Sequence, residues 1–282
     1  RSLVSNWLRL TGVPVAWTMK FALAISESGL TDEPVELLEN LKGQGLASYE
    51  VAFNLGGLYL LQDDQLRALE NYELALTFND RSLPALLQVA RIAEQQGELE
   101  KALSFLIRAK LEAPEAPEVL FRFGSVGLQL DFVADATEAL EKAVRLRPKH
   151  KGVRYWLATA HGITRKYDKA LEIYLELLEE NPEDPQMHYA VGTMFYLQAA
   201  FEQAEKYLKK SMLLAPDELL PSYYIAMAAQ KQGDAEKAVL LFGNILKRHP
   251  EHGPSHEGLG RSLFKLRRYE EARVHLEKSI GL

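Results

Sequence analysis

The sequence predicts an all-α fold built from stacked pairs of antiparallel helices. The first observation is a strict period of 34 residues, which repeats seven times without insertion from Tyr49 to Leu282. The second is a set of positions that carry only small residues in every copy, and the third is a proline near the end of most copies. The copies begin at Tyr49, Leu83, Pro117, Lys151, Pro185, Leu219 and Gly253.

Three positions of the copy, counted from its first residue, indicate one closely packed helix pair. Small residues at positions eight and twenty allow two backbones to approach, and the large residue at position twenty-four must then be buried between them. Position eight holds Gly56, Ala90, Gly124, Ala158, Gly192, Ala226 and Gly260, and position twenty holds Ala in all seven copies. Position twenty-four holds Tyr72, Leu106, Leu140, Tyr174, Leu208, Phe242 and Leu276.

Turn and helix-end signals divide each copy into two helices. In the copy that begins at Leu83, Gly97 marks the turn between the helices. A proline at position thirty-two ends the second helix, because proline lacks a backbone donor and pushes the residue before it away from helical geometry. These prolines are Pro114, Pro148, Pro182, Pro216 and Pro250, and the first copy has Asp80 instead.

This pattern resembles the tetratricopeptide repeat family, whose period is about 34 residues and whose small, aromatic and proline positions have this spacing. The resemblance covers residues 49–282 as seven consecutive repeats. It implies a right-handed α-solenoid, a superhelix of antiparallel helix pairs, whose concave groove binds a segment of another protein.

Residues 1–48 fit the repeat poorly but read as helical. Gly29 falls at the turn position and Ala22 at the small position, so we interpret residues 15–48 as one degenerate repeat. Such departures are common at the ends of a repeat array. We predict helices over Ser2–Leu10 and Val15–Ser28, a break at Gly12 and Pro14, and a third helix from about Asp32 that is capped by Thr31 or Asp32.

Composition excludes several classes of function. The formal net charge is −6, and residues 21–80 carry 11 acidic against 2 basic side chains, so we expect no nucleic-acid partner. The longest apolar stretch, near Val13 to Ile25, contains Lys20 and is shorter than the roughly 20 residues that cross a membrane. The absence of cysteine excludes disulfides and thiol chemistry, but it leaves the compartment open.

The two ends of the sequence suggest a piece of a larger protein. The chain begins at Arg1 rather than Met, which indicates a fragment or a processed form. The last helix, Glu270–Ile280, carries Leu276 and Ile280, and an apolar repeat face is normally covered. We therefore expect further chain there, or self-association through the uncapped C-terminal helix.

No motif in the sequence indicates an enzyme, a metal site or a cofactor. The run of His249, His252 and His256 has some resemblance to a metal site, but we interpret it as a turn that contains the repeat-ending Pro250. His161 stands where other copies have Tyr59 or Phe195, so we expect it to pack between helices. No nucleophile, base and orienting group occur together in a known pattern.

The resemblance places the binding site on the first helix of each repeat, chiefly at positions two, five, nine, twelve and thirteen. Six repeats carry a large apolar or aromatic side chain at position five, and Tyr196 and Met227 flank them. The neighbouring positions add Trp156 and Tyr224. The predicted groove residues are Phe53, Leu87, Phe121, Tyr155, Tyr189, Tyr223, Tyr196 and Met227.

Two groove chemistries known in the family are absent. The clamp that grips an acidic C-terminal tail needs Lys and Asn at positions five and nine, where the first repeat has Phe53 and Gly57. An asparagine ladder at position six also fails, since only Asn54 occurs there. We therefore expect the partner to present an apolar or aromatic peptide, or an amphipathic helix, rather than an acidic tail.

These observations predict a protein-interaction scaffold. Two alternatives stay open: the repeats are a regulatory or substrate-recruiting arm of a larger enzyme, or they are a self-assembling architectural array. The sequence does not identify the partner, the process or the compartment.

Overall fold

The computed structural model describes residues 2–10 and 13–282, which form seventeen α-helices and no β-strand. The predicted all-α fold class, an α-solenoid of antiparallel helix pairs, is confirmed. None of the described helices has the length and apolar character needed to cross a membrane. The chain divides into two units, Arg1–Pro148 and Lys149–Leu282, and each is described by itself.

Unit 1 contains nine helices in its described residues. They are α1 (Ser2–Leu8), α2 (Val15–Glu27), α3 (Asp32–Gly43), α4 (Tyr49–Leu61), α5 (Gln65–Phe78), α6 (Leu83–Gln95), α7 (Leu99–Glu112), α8 (Pro117–Gln129) and α9 (Val133–Leu146). The predicted break at Gly12 lies outside the described residues. Thr31 precedes α3 as predicted, but its side chain makes no capping hydrogen bond.

Unit 2 contains eight helices. They are α10 (Lys151–Ile163), α11 (Tyr167–Glu180), α12 (Pro185–Leu197), α13 (Phe201–Leu214), α14 (Leu219–Gln232), α15 (Ala235–Arg248), α16 (Gly253–Lys265) and α17 (Tyr269–Ile280). In both units, from Tyr49 onward, the first helix of each 34-residue copy begins at the first position of the copy.

The turn between the paired helices has the same conformation in all seven copies. The residue at position fifteen has a positive φ, and it is glycine only at Gly97 (φ +76°) and Gly233 (φ +91°). The following N–H donates to the carbonyl five residues earlier, for example from Ala200 to Phe195 at 2.9 Å, as in a Schellman C-cap. The turn predicted at Gly97 is confirmed. The other five turns hold Asp63, Asp131, Arg165, Ala199 and Arg267 in this conformation.

The end of each second helix does not depend on proline. The five helices that precede a position-thirty-two proline end two residues before it, and α5 ends at Phe78, two residues before Asp80. In that copy Ser82 caps α6 by accepting from Ala85 N–H, and its hydroxyl bonds the Tyr49 hydroxyl at 2.7 Å. Helix α5 therefore ends at the same position of the copy without a proline, and the next helix, α6, is capped by Ser82.

The helix pairs touch where a small residue faces a large one. A Cβ added to Gly192 would lie 2.7 Å from Leu208 Cγ and 3.1 Å from the Leu208 backbone nitrogen. At Gly124 the same atom would overlap Leu140 Cγ. Position eight therefore contacts position twenty-four across the pair, as the sequence predicts, and glycine there sets the helix spacing.

We expect Gly192→Ala to destabilise the protein by about 1 to 3 kcal/mol, because the fully buried Leu208 cannot move away without shifting its backbone. The measurement is urea unfolding followed by circular dichroism. Gly243→Ala is the matched control, since a Cβ at Gly243 meets nothing within 4 Å. Alanine should stabilise α15 there by about 0.5 to 1 kcal/mol. Equal effects at the two glycines would contradict the close contact.

Histidines join the last helices of unit 2. His256 is not part of a turn, as the sequence analysis assumed, but lies buried within α16. Its Nε2 is 3.0 Å from the Pro250 carbonyl oxygen and its Nδ1 is 2.8 Å from Nδ1 of His275 on α17. His188 stands at the same position of its copy, and its Nε2 lies 2.8 Å from the Pro182 carbonyl oxygen. This contact therefore recurs in two copies of the repeat.

The surroundings of His252 and His275 favour the neutral form of each ring. The Pro250 oxygen can only accept, so His256 Nε2 carries a proton, and in a neutral ring Nδ1 then accepts from His275 Nδ1–H. His252 caps α16 by accepting from Ser255 N–H through Nδ1. Burial lowers the pKa of His275, with a further contribution from His256, while Glu271 opposes the shift and Lys278 adds to it. Burial also lowers the pKa of His252, together with His249 and His256.

We expect the α16–α17 pair to lose stability as the pH falls through about 6.5, the pKa of an unfolded histidine. Below that pH the unfolded chain binds protons that the folded His252 and His275, with their lowered pKa values, do not yet bind. The measurement is amide hydrogen exchange in α16 and α17 at about pH 8 and about pH 5.5, corrected for intrinsic rates. His275→Gln keeps a donor for His256 Nδ1 and should reduce the loss. An equal loss in the variant would rule out His275 as a cause.

Helix α16 covers part of the apolar face of the C-terminal helix α17. Leu276 is half-buried, and its side chain would clash with a Cβ on Gly260 at 2.7 Å. Ile280 is 86% exposed. Of the two residues expected to form an adhesive face, only Ile280 is therefore largely accessible.

Candidate functional site

The predicted groove residues of unit 1 lie on the first helices α4, α6 and α8. Phe53, Leu87 and Phe121 are all half-buried, so each presents part of its side chain at the surface. The Phe53 ring contacts the rings of Tyr49 and Tyr72, with centroids 5.5 and 5.3 Å apart. These contacts fix the Phe53 ring against the core.

One group of charged side chains near these residues is paired within the unit. Arg122 on α8 reaches Glu94 on α6 at 3.2 Å and Glu118 at 2.6 Å. Burial raises the pKa of Glu94, and the neighbouring Arg122 opposes that rise. This ion pair links α6 to α8.

In unit 2, the predicted residues form a largely uncharged aromatic surface. Tyr155 contacts the rings of Trp156 and Tyr174, each at 5.7 Å, and its hydroxyl accepts from Gln186 at 3.1 Å. Met227 is half-buried and packs against the core of α14–α17. At the far end of this row, Glu257 pairs with Arg261 at 3.1 Å.

Tyr224 is the centre of this surface. Its ring lies 5.9 Å from Tyr189, 5.2 Å from Tyr196 and 5.9 Å from Tyr223, and all three contacts are edge-on. We call Tyr189, Tyr196, Tyr223 and Tyr224 the tyrosine cluster. Every member is half-buried, so the cluster is held in place and still reaches solvent. Tyr224 is not among the predicted groove residues, because position six is not a shared aromatic position.

Burial raises the pKa values of three hydroxyls in the cluster. It raises the pKa of Tyr189 to about 12, with Tyr224 as the next contributor. Burial also raises the pKa values of Tyr196 and Tyr223. These three hydroxyls are therefore protonated at neutral pH and carry no phenolate charge.

Two clefts open beside the predicted tyrosines. One of about 380 Å³ lies between α10 and α12 and is lined by Tyr155, Trp156 and Met187 among others. The second, of about 360 Å³, includes Tyr189, Pro185 and Pro221. Each has room for one or two side chains of a bound segment.

Two further cavities lie away from the predicted residues, and no pattern in the sequence indicated them. A cavity of about 390 Å³ in unit 2 has an apolar lining that includes Met212, Leu241 and Ile245. Another of about 520 Å³ in unit 1 is lined by Ile107, Leu111 and other residues of α7–α9.

His161 was expected to pack between helices, and it is buried in α10. Among the described residues, no three His, Asp or Glu side chains are grouped so that they could hold a metal ion.

Comparison with protein families gives two matches, and both are described as tetratricopeptide repeat. One covers residues 133–193 and the other residues 223–280.

Individual proteins give matches of the same kind. A TPR repeat-containing protein of Pseudomonas aeruginosa is 25% identical over 201 residues, covering 58% of this chain and 34% of that protein. The TPR repeat-containing protein YpiA of Bacillus subtilis is 23% identical over 232 residues, covering 80% of this chain and 54% of that protein. The chain thus spans about a third to a half of the length of these relatives.

A solved structure shares the fold. The crystal structure of a tetratricopeptide repeat protein from Parabacteroides merdae superposes with a TM-score of 0.60 at 20% identity, covering 88% of this chain and 98% of that one. With its helix pairs and repeat matches, the chain belongs to the tetratricopeptide repeat family, whose members bind protein partners.

Proposed function

We propose that the chain is a protein-interaction scaffold that binds an apolar or aromatic-bearing segment of a partner in the groove formed by its first helices. The tyrosine cluster carries this proposal. Four tyrosines from two successive repeats form one half-exposed surface, in which the rings of Tyr189, Tyr196 and Tyr223 each contact the ring of Tyr224. Phe53, Leu87 and Phe121 offer a similar apolar row in unit 1.

The physical argument is preorganisation. A tyrosine has few rotatable bonds, and rings that already pack on one another lose little conformational entropy when a ligand covers them. Aromatic side chains in such positions usually dominate the binding energy of an interface. The cluster also lacks the lysines and arginines that would recognise an acidic tail.

The chain is proposed to act without catalysis and without a cofactor. The perturbed groups of the tyrosine cluster are tyrosines whose pKa values are raised, which keeps their hydroxyls in the weakly nucleophilic neutral form at neutral pH. Nothing in the site places a nucleophile beside a base and an orienting group.

A second candidate is that these repeats are the recruiting arm of a longer protein, which could itself be an enzyme. The observation that favours it is the length comparison, since the chain matches only 34% and 54% of its two bacterial relatives. Self-assembly through exposed residues such as Ile280 is the weaker alternative. Sedimentation of the wild type and of Ile280→Lys at high concentration separates it from the scaffold.

We expect Tyr224→Ala to weaken peptide binding by about 1 to 2 kcal/mol, because it removes the ring that holds the other three tyrosines in place. The probe is a peptide selected by the full chain from a phage library of random dodecapeptides, and the measurement is calorimetric titration. Tyr269→Ala is the matched control, since Tyr269 is 54% exposed and lies outside the cluster.

Two further results decide the interpretation. Affinity should change little between low and high salt, because apolar contacts are not screened. Binding that collapses in salt but tolerates Tyr224→Ala would show that charged side chains, and not the tyrosine cluster, hold the peptide.

A further inference from the structure

A groove in unit 1 carries apolar side chains that the fold leaves exposed. It lies between the second helices α7 and α9, with Phe123 of the first helix α8 in its lining, and it holds the cavity of about 520 Å³. Ile107 and Leu111 on α7 are 47% and 76% exposed, and Phe132 at the start of α9 is 52% exposed. We call these three residues the apolar face of the groove.

The other copies of the repeat serve as internal controls for this face. Ile107 and Leu111 stand at positions twenty-five and twenty-nine of their copy, and Phe132 stands at position sixteen of the next. In every other pair of successive copies, at most one of these three positions holds a large apolar residue; the first pair, for example, has Glu73, Thr77 and Glu98. The repeat therefore does not require apolar residues here, and their grouping indicates a surface that another molecule covers.

Phe132 also replaces a possible helix cap. Position sixteen is the N-cap of the second helix, and Asp64 and Asp234 cap α5 and α15 there by accepting from a backbone N–H. The phenylalanine ring has no acceptor, so α9 begins without a side-chain cap. A half-exposed ring at a position where it weakens the helix is not explained by folding.

The groove lacks an ion pair that joins second helices elsewhere. Lys101 on α7 binds Glu73 on α5 at 2.9 Å, and Lys237 on α15 binds Glu205 on α13 at 3.0 Å. Both lysines stand at position nineteen, where α9 has the exposed Asp135. Asp135 lines the groove and forms no ion pair with any described residue.

Lys110 places a second charge in the groove, on the α7 wall. Its Nζ lies 4.1 Å from the centroid of the Phe123 ring. Glu138 on α9 pairs with Lys142 at 2.6 Å, and Lys110 adds only a weaker attraction to that carboxylate. The groove thus presents an apolar face, a cation on α7 and an anion on α9 that the described part of the chain does not neutralise by direct pairing.

We propose that this groove binds an amphipathic helix of a partner protein. The helix places a large apolar side chain in the cavity, a basic residue beside Asp135 and an acidic residue beside Lys110. Such a helix covers the apolar face and supplies both missing counter-charges. The groove is separate from the tyrosine cluster of unit 2, so the inference goes beyond the proposed function and does not rest on it.

The helical conformation of the occupant follows from the walls of the groove. The interior N–H and C=O groups of α7 and α9 are bonded within their own helices, so they offer nothing to an incoming backbone. An extended segment buried against these walls would leave its own backbone groups unpaired, which is costly. A helix satisfies its backbone internally and can present a continuous apolar stripe to the groove.

The test uses a phage library that displays an alanine-based peptide of about 18 residues, long enough to be helical, with one face randomised. Peptides that bind immobilised Leu111→Glu are removed first, and the remainder are selected on the full wild-type chain. The selected peptides should bind Leu111→Glu at least about tenfold more weakly than the wild type. Leu213→Glu is the matched control, because Leu213 stands at the same position of its copy and is 74% exposed. It should bind normally.

Phe132→Asp separates a binding role from a structural one. The affinity of the selected peptides should fall by about tenfold, because the ring is lost from the groove. The urea midpoint should equal or exceed that of the wild type, because aspartate can cap α9 as Asp64 caps α5. A lower midpoint with unchanged affinity would show that Phe132 serves the fold and would overturn the proposal.

A charge exchange tests the chemistry assigned to the partner. Asp135→Lys should weaken the binding of selected peptides by about fivefold or more, and replacing the basic residue of the peptide by Glu should restore binding to this variant alone. Affinity that ignores both changes would overturn the assigned charge pairing.

The remaining outcomes decide the occupant. A proline at the centre of a selected peptide should weaken binding by about a hundredfold, because it breaks the helix, and a tolerated proline would show an extended occupant. Sedimentation that shows a wild-type dimer dissociated by Leu111→Glu would assign the groove to a second copy of this chain. Either result overturns the proposal, as does a library that yields no peptide after the removal step. Binding that is lost in Tyr224→Ala would place the peptide on the tyrosine cluster, which overturns the inference and leaves the proposed function standing.

Discussion

The contact between a glycine or alanine at position eight and a large side chain at position twenty-four fixes the distance between the two helices of each copy. At Gly192 the space for even one methyl group is taken by Leu208. Since successive pairs pack on one another within each unit, this distance also sets how the first helices are presented. The placement of the tyrosine cluster, whose rings come from two successive copies, depends on this distance.

The sequence allowed the fold to be predicted because the decisive contacts are local and repeat at one period. Small and large residues sixteen positions apart identify a helix pair without knowledge of any distant contact. The turns were harder to predict from the sequence, because only two of the seven turn positions hold glycine. Ala199 has a φ of +58°, a conformation that an isolated alanine avoids, and only the Schellman hydrogen bonds of the finished turn make it acceptable.

The candidate site was predictable only in part, because some of its contacts join residues of different copies and do not repeat. Position five could be recognised from one copy at a time, and its residues do lie at the surface of the first helices. The role of Tyr224 depends on rings from neighbouring copies, and position six is aromatic only at Trp156 and Tyr224. The bond between His256 and His275 likewise could not be inferred, because a histidine has no fixed partner in sequence and the run that drew attention suggested a metal.

The two units present different chemistry on equivalent helices. In unit 2 the rings of the tyrosine cluster are one another's packing partners. In unit 1 the corresponding helices carry an ion pair through Arg122, which joins α8 to α6. A repeat that keeps its helix spacing through positions eight and twenty-four can vary the residues on its first helix independently, which allows one fold to present both an aromatic and an ion-paired surface.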